Sequence, residues 1–114
     1  MKKIEAIIRP AKLDIVRGAL ETIGLPGLMI SEIEGHGNQQ GVTQQWRGTE
    51  FKVGLLPKVK IVVVVKDEDV DKVTTTIIRV AKTGEIGDGK IFISPIENAI
   101  RIRTGQSGNE ALCP

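Results

Sequence analysis

Two passages of this chain, residues 3–24 and 58–84, repeat one plan, and that repeat constrains the possible folds more than any other feature. Each passage opens with a lysine, continues as an apolar strand, becomes an amphipathic helix and stops at a glycine. Apolar residues at three- and four-residue steps place one stripe on each helix. The stripes are Leu13, Val16, Leu20 and Ile23 in the first passage and Val70, Val73, Ile77 and Val80 in the second. Each passage therefore predicts one strand followed by one helix.

Further strands complete this pattern. Residues 28–34 follow the first helix, residues 90–94 follow the second, and residues 99–103 would form a last strand, followed by a tail to position 114. Two strand–helix units, each followed by another strand, describe a ferredoxin-like β-α-β-β-α-β arrangement. A length of 114 residues fits one domain, spanning 1–114. We therefore predict an α+β sandwich of ferredoxin-like type with a long loop after its second strand.

The predicted sheet has one face covered by its two helices and the other face bare. Val62 and Val64 lie in an unbroken run of β-branched residues, which belongs in the middle of a sheet. On the bare face these valines and their neighbours need another sheet to cover them. We therefore predict a closed homo-oligomer, with a homotrimer as the natural fit.

Composition narrows the class of protein. A formal net charge of +2 is too small to indicate nucleic-acid binding. The single cysteine, Cys113, has no partner for a disulfide, which favours a reducing cytoplasm. No segment has the length of a membrane span, and the first residues lack the apolar run of a signal peptide. We expect a cytoplasmic protein without direct lipid binding.

Residues 83–90 (Thr-Gly-Glu-Ile-Gly-Asp-Gly-Lys) combine three glycines with a lysine. Glycine reaches positive φ at little cost, so successive N–H groups can converge on an anion. The spacing of Gly84, Gly89 and Lys90 imitates a Walker A loop, but Ile91 stands where that motif needs Ser or Thr. The segment also leaves a helix and enters a strand, the reverse of a Walker loop. A phosphate cradle of another kind and a helix end followed by a turn both stay open.

Residues 35–56 are polar and rich in glycine, and they exceed the usual length of a connection in a compact domain. Trp46, Arg47 and Phe51 lie within them, and large aromatic residues and arginine are typical anchors of interfaces. The composition favours an interaction loop. A β-hairpin extension without a partner is the alternative.

Several motifs together resemble the PII nitrogen-regulatory signal-transduction proteins, and the resemblance runs from Met1 to Cys113. The motifs have the order and spacing of that family, in a chain of matching length. They are Lys-Lys-Ile-Glu-Ala-Ile-Ile-Arg-Pro at 2–10, Trp-Arg-Gly-Thr-Glu-Phe at 46–51, Leu-Pro-Lys-Val-Lys at 56–60, Thr-Gly-Glu-Ile-Gly-Asp-Gly-Lys-Ile-Phe at 83–92 and Arg-Ile-Arg-Thr-Gly at 101–105.

The resemblance implies a trimer of ferredoxin-like subunits with clefts between neighbours, in which ATP and ADP compete. It also implies that 2-oxoglutarate binds when ATP and Mg²⁺ are present. Ligands would then set the shape of the long loop (about residues 37–55, the T-loop of the family), which docks on target proteins. Membrane ammonium transporters and enzymes of nitrogen assimilation are the targets it implies. The expected protein is a non-catalytic regulator.

Nucleotide-binding residues follow from the resemblance position by position. They are Gly37, Asn38, Gly87, Asp88, Gly89, Lys90, Arg101 and Arg103, the two arginines being delivered by a neighbouring subunit. The residues themselves support one part of this assignment. Arg101 and Arg103 lie two apart on a predicted strand, hence on one face, where they can clamp one polyphosphate. A solvated strand edge is the other interpretation of the pair.

The resemblance also assigns the effector, the metal and the partner contacts. Gln39 matches the side chain that ligates Mg²⁺ together with ATP phosphates and 2-oxoglutarate, and oxygen donors suit this ion. Lys58 matches the lysine that pairs with the distal carboxylate of 2-oxoglutarate, and Gly87 belongs to the same site. The residues expected to contact target proteins are Trp46, Arg47, Thr49 and Phe51.

The chain departs from the family pattern at several positions. Members controlled by uridylylation carry tyrosine at position 51, but this chain has Phe51 and no tyrosine at all, so no uridylylation is expected. Thr49 stands where phosphorylated members carry serine, and no modification is expected there either, although a hydroxyl remains. Asn38 replaces a basic residue beside the γ-phosphate, which should weaken ATP discrimination by about 1 kcal/mol. Met29 and Val62 replace residues near the adenine, so base selectivity should differ.

Two other functions are compatible with the sequence. A slow nucleotide hydrolase would use Asp88, the only candidate base near the phosphates, and no motif marks a second catalytic group. A ligand-independent trimeric adaptor would result if Asn38, Met29 and Val62 abolish nucleotide binding.

Overall fold

The computed structural model describes residues 1–25, 27–36, 43–46, 49–52 and 55–113. Along the chain they form β1 (Lys2–Ile8), α1 (Leu13–Thr22), β2 (Met29–His36), β3 (Thr43–Trp46), β4 (Thr49–Lys52), β5 (Leu55–Val65), α2 (Val70–Ala81) and β6 (Lys90–Pro95). Short 3-10 turns precede the two helices at Pro10–Lys12 and Asp67–Asp69, and another lies at Gly108–Leu112. Both predicted strand–helix units are therefore present.

The central sheet is antiparallel and has the strand order β2-β5-β1-β6. β1 pairs with both β5 and β6, so that Ile4 lies opposite Val63 on one side and Ile93 on the other. β2 forms one edge by pairing with β5, with Met29 opposite Val62. This order, with one helix after β1 and the other after β5, is that of a ferredoxin-like α+β fold. The predicted fold class is confirmed.

The core lies between one face of the sheet and the two helices. Alternate residues of β1 and β5 are buried there because successive side chains of a strand point to opposite faces. The buried apolar residues are Ile4, Ala6, Ile8, Val16, Leu20, Val59, Ile61, Val63, Val65, Val73, Ile77 and Ala81. No helix of the described chain combines the length and the apolar character needed to cross a membrane.

The other face of the sheet is open within the described part of the chain. Val62 and Val64 are half-buried on this face, opposite Glu5 and Lys3 of β1. The charged groups of Lys3 and Glu5 lie 3.0 Å apart. The bare face predicted from the sequence therefore exists, with apolar and charged side chains mixed on it. The homotrimer that would cover it stays a prediction.

The long polar segment contains a β-hairpin in its described part. β2 and β5 remain paired as far as His36 and Leu55. Beyond them β3 and β4 form a separate two-stranded sheet, with Trp46 opposite Thr49. The described residues of this segment therefore form a β-hairpin, as the alternative interpretation predicted. The binding of a partner by this segment stays a prediction.

The predicted last strand, residues 99–103, is wrong. Ile100 takes part only in an isolated bridge, and the chain reverses direction just after it. The N–H of Gly105 donates to the carbonyl of Arg101 at 2.8 Å, and the N–H of Arg101 donates to the carbonyl of Gln106 at 2.8 Å. Gly105 permits the reversal with a φ of +73°. The turn satisfies these backbone groups without a neighbouring strand.

Candidate functional site

The glycine loop (residues 83–90) leaves α2 and enters β6, as predicted. Its end passes very close to β1. A Cβ at Gly89 would lie 1.7 Å from the carbonyl oxygen of Ile7, and the φ of Gly89 is +104°. Real Cβ atoms essentially never come closer than 3.0 Å to such an atom. Position 89 therefore requires glycine, for its conformation and for the close approach of two backbones.

The carboxylate of Asp88 holds the glycine loop closed. Its Oδ2 accepts the N–H groups of Thr83 and Gly84, each at 2.9 Å. Its Oδ1 accepts the Thr83 hydroxyl and the Nε–H of Arg9, the latter at 3.1 Å. Hydrogen bonds from the hydroxyl and the N–H of Thr83, followed by those from Gly84 and Arg9, hold the pKa of the Asp88 carboxyl well below its usual range. Asp88 is therefore ionised and engaged, which makes it a poor general base.

Arg9 fastens the loop to the end of β1. Besides its bond to Asp88, its Nη2 donates to the carbonyl of Ile86 at 2.8 Å. A Cβ at Gly87 would lie 3.2 Å from the same Nη2, so the guanidinium lies directly against the loop backbone. About a quarter of the Arg9 side chain is exposed to solvent, at 25%. The guanidinium fork thus joins residues 86 and 88, which flank Gly87.

Lys58 of β5 reaches the same loop. Its Nζ donates to the carbonyl of Gly87 at 2.6 Å. Burial lowers the pKa of Lys58, and the positive charge of Arg9 lowers it further, while Asp88 acts in the opposite direction. Two cations are therefore held close together beneath one loop. Such crowding is relieved when an anion binds nearby.

The backbone of the loop presents donors that the described chain does not use. The N–H groups of Gly87 and Gly89 have no backbone acceptor among the described residues, whereas a hydrogen-bonded turn at residues 86–87 engages the N–H of Asp88. Gly87 and Gly89 have φ values of +103° and +104°, a conformation in which neighbouring N–H groups can form an anion-binding concavity. With Arg9, Lys58 and Lys90 close by, these groups fit an anion such as a phosphate.

A cavity of about 390 Å³ borders this loop. Apolar side chains at the end of α2 and on β1 form part of its wall, and Lys82 and the glycine loop supply the polar part. Its lining includes Ile7, Ile77, Ala81, Lys82, Asp88 and Lys90. The loop therefore lies beside a recess with one apolar side and one charged side that includes Lys82, Asp88 and Lys90.

Arg101 is engaged by its own chain. Its Nη1 donates to Oε1 of Gln106 at 3.2 Å, and its Nη2 donates to the carbonyls of Glu110, at 3.2 Å, and Cys113. Arg103 is exposed. Within the described residues neither arginine forms a hydrogen bond with the glycine loop, so one chain alone does not bring the two parts of the predicted site together.

Sequence comparison adds the decisive observation. A family model described as "Nitrogen regulatory protein P-II" matches residues 1–106. The chain belongs to the P-II family. The predicted family is thereby confirmed.

P-II proteins from distant organisms are similar to this chain over nearly its whole length. A nitrogen regulatory protein P-II of Nostoc punctiforme is 55% identical over 112 residues, which cover 98% of this chain and 100% of that protein. Nitrogen regulatory protein P-II 2 of Methanothermobacter thermautotrophicus is 54% identical over 112 residues, covering 98% and 97%. These names describe nitrogen regulatory proteins, and the similarity supports a role in nitrogen-regulatory signalling.

Apart from Arg101 and Arg103, the P-II site residues expected from the sequence fall into three groups. The structure brings together Lys58, Gly87, Asp88, Gly89 and Lys90. The hairpin of β3 and β4 contains Trp46, Thr49 and Phe51. The residues outside the described part of the chain are Gly37, Asn38, Gln39 and Arg47. No group of three or more His, Cys, Asp or Glu side chains suited to a metal ion occurs among the described residues.

Sequence reasoning missed Arg9, which contacts the P-II glycine loop at two points. Arg9 follows the first strand and precedes Pro10, and no local pattern distinguishes it from a solvated lysine or arginine at a strand end. Its partner Asp88 lies 79 residues further along the chain. The Arg9–Asp88 pair could have been anticipated only from the sheet order of a ferredoxin-like fold. In that order β1 is central and lies next to the strand that follows the glycine loop.

Proposed function

We propose that this P-II chain is a non-catalytic sensor that binds ATP or ADP competitively at the glycine loop, in clefts between the subunits of a homotrimer. The family membership supports the signalling role in nitrogen regulation. The proposal adds the ligands, the assembly and the way in which binding is reported. The long segment that contains β3 and β4 would carry the signal to target proteins.

The backbone of the glycine loop is the observation that carries the nucleotide proposal. The N–H groups of Gly87 and Gly89 have no backbone acceptor among the described residues, and Lys58 and Lys90 lie next to this loop. Together they suit a polyphosphate, because N–H groups orient its oxygens while cations balance its charge. Asp88 does not oppose this binding, since Arg9 already pairs with its charge.

A second subunit would complete the site with Arg101 and Arg103. The open sheet face, with Val62 and Val64 half-buried, supports the trimer that would deliver them. Arg101 contacts its own C-terminal segment at Glu110 and Cys113, so its guanidinium is already fixed in place near the end of the chain.

In the proposed site 2-oxoglutarate binds together with Mg²⁺ and ATP. Gln39 would hold the ion, and Mg²⁺ when bound would neutralise phosphate charge and gather oxygen ligands. Lys58 would pair with the distal carboxylate of the keto acid, beside Gly87. The position of Lys58 Nζ, 2.6 Å from the carbonyl of Gly87, supports this shared use of one lysine by loop and effector.

The proposed targets are proteins of nitrogen metabolism, such as a membrane ammonium transporter or an assimilation enzyme. Trp46, Arg47, Thr49 and Phe51 would form the contact surface of the long segment. Because the chain has no tyrosine, uridylylation has no phenolic acceptor on it. Ligands can control such a contact only if they bind one shape of the segment more tightly than another.

A hydrolase is the less supported alternative. Its candidate base, Asp88, accepts bonds from Thr83, Gly84 and Arg9, and its pKa lies below the usual range. A base with so low a pKa takes up a proton poorly near neutral pH. A ligand-independent adaptor is the second alternative, and it differs in binding no nucleotide.

Calorimetry distinguishes these functions. ATP, ADP and AMP are titrated with and without Mg²⁺ and 2-oxoglutarate, and phosphate release is measured in parallel. The sensor predicts binding of ATP and ADP, with ATP binding strengthened by 2-oxoglutarate and Mg²⁺. Absence of heat with every nucleotide would support the adaptor, and release of phosphate over many turnovers would support the hydrolase.

Two variants test the site assignment within the same titrations. Arg101→Ala and Gly87→Ala should each weaken ATP binding by about tenfold or more, the value of one charge-assisted hydrogen bond. Arg17→Ala, on the exposed side of α1, and Gly24→Ala, which shares the positive φ of Gly87, are the matched controls. Equal ATP affinity in both site variants and both controls would contradict the assignment.

A further inference from the structure

We infer that Arg9 is the positioning residue of the glycine loop, which sets the geometry of the anion-binding N–H groups without itself touching the anion. This inference rests on the proposed nucleotide site and assigns a role to a residue that is neither in the glycine motif nor among the basic site residues expected from the sequence. Arg9 contacts the loop through Nε to Oδ1 of Asp88, at 3.1 Å, and through Nη2 to the carbonyl of Ile86, at 2.8 Å.

The two contacts of Arg9 lie on either side of the N–H groups in question. Ile86 precedes Gly87, and Asp88 follows it, so the planar guanidinium bridges the bend of the loop. Each contact is charge-assisted and directional, which fixes the loop backbone in orientation as well as in position. Because Arg9 holds the loop in its final conformation before an anion binds, binding loses no free energy to ordering the loop. The free energy of binding is correspondingly more favourable.

The anchor of this bridge is rigid. β1 ends at Ile8, directly before Arg9, and β1 pairs with a strand on both of its sides. Lys58 on β5 holds the same part of the loop by donating a hydrogen bond to the carbonyl of Gly87. Three successive carbonyl or carboxylate acceptors, at residues 86, 87 and 88, are therefore bound by cations from the two central strands.

A purely electrostatic role for Arg9 predicts a different behaviour. If Arg9 acted only by its charge, lysine would replace it, and removal of the Asp88 charge would strengthen the binding of a polyanion. If Arg9 acts by position, lysine fails because a single ammonium group cannot reproduce the fork. Asp88→Asn then weakens binding of the polyanion, because the single amide oxygen of asparagine cannot accept all the hydrogen bonds that the two carboxylate oxygens of Asp88 accept. The two accounts thus predict opposite signs for Asp88→Asn.

The test compares the full-length chain with Arg9→Lys, Asp88→Asn and the double variant. Arg17 and Asp14 on α1 form a matched exposed pair at 2.9 Å, so Arg17→Lys and Asp14→Asn are the controls. ATP affinity is measured by calorimetry, and the amide ¹H and ¹⁵N shifts of Gly87 and Gly89 are measured without ligand. Thermal unfolding shows whether each variant is folded.

We expect Arg9→Lys and Asp88→Asn each to weaken ATP binding by about tenfold and to shift both glycine amides, while the controls do neither. The double variant should lose less than the sum of the two single losses, because the Arg9–Asp88 contact is shared by both changes while the other contacts of each residue are not. Tighter ATP binding by Asp88→Asn, or wild-type affinity in Arg9→Lys, would overturn the inference. If the unaltered chain binds no ATP, the proposed function fails, and the inference then stands or falls on whether Arg9→Lys shifts the two glycine amides.

Discussion

Alanine in place of Gly89 should destabilise the fold far more than alanine at another glycine of similar conformation. Position 89 combines a φ of +104° with a close approach to β1, where the new Cβ would lie 1.7 Å from the carbonyl oxygen of Ile7. Gly24 has a φ of +95°, but no atom lies within 4 Å of the Cβ that it would gain. The pair therefore separates conformational strain from steric exclusion.

The expected loss in unfolding free energy follows from the conformational strain and the steric exclusion. Strain at positive φ costs about 1–3 kcal/mol, and both variants incur it. At position 89 the two atoms must also separate by at least 1.3 Å, from 1.7 Å to the 3.0 Å limit. That displacement opens the ladder where Ile7 lies opposite Lys90, and a buried backbone group left without its partner costs about 1–3 kcal/mol. Gly89→Ala should thus be about 2 kcal/mol less stable than Gly24→Ala.

Urea unfolding followed by circular dichroism measures this difference. All proteins are compared at one concentration, because an oligomer gains stability with concentration. Equal free energies of unfolding for Gly89→Ala and Gly24→Ala would refute the claim that the backbone of β1 excludes a side chain at position 89.

Two further predictions concern charge. The pKa of Asp88 is lower in the folded chain than the ordinary value, so its stabilising effect is complete above that ordinary value and is lost as pH falls through the folded pKa. The difference in unfolding free energy between the unaltered chain and Asp88→Asn should be constant from about pH 8 to pH 5 and shrink below about pH 4, and a difference that grows on acidification would contradict it. Val64→Lys places a second cation beside Lys3 on the open face and should abolish the proposed trimer in light scattering, whereas Glu68→Lys, on an exposed turn, should leave the mass of the assembly unchanged. A Val64→Lys protein with trimer mass would show that this face lies outside the interface.

Periodicity predicted the layers of the fold because it reports burial directly. The stripes through Val16 and Leu20 and through Val73 and Ile77 are buried where expected, and the glycine loop connects α2 to β6. The strand predicted at residues 99–103 is absent, because Ile100 is exposed and the chain turns at Gly105. Alternating side chains indicate a strand only when a neighbouring strand is available to take the backbone hydrogen bonds.

The candidate site was predictable only in its local part. The glycines and Lys90 are adjacent in sequence, so their motif could be recognised without a structure. The role of Asp88 could not, because its partners include Arg9 from the opposite end of the chain. Hydrogen bonds between residues far apart in sequence leave no periodic signal. The sequence therefore indicated Asp88 as a candidate base, whereas the structure shows that its carboxylate closes the glycine loop.

The central position of β1 also has a consequence for how the protein is made. β1 is the first strand to be synthesised, yet its two neighbours in the sheet, β5 and β6, are among the last. The centre of the sheet cannot form before residue 65 is available, and Arg9 cannot meet Asp88 before residue 88 is available. Contacts of such high sequence separation form late, so a chain still on the ribosome holds its first strand unpaired and its glycine loop open. Under the proposed function, ligand binding therefore has to wait until the glycine loop has been synthesised and has met Arg9.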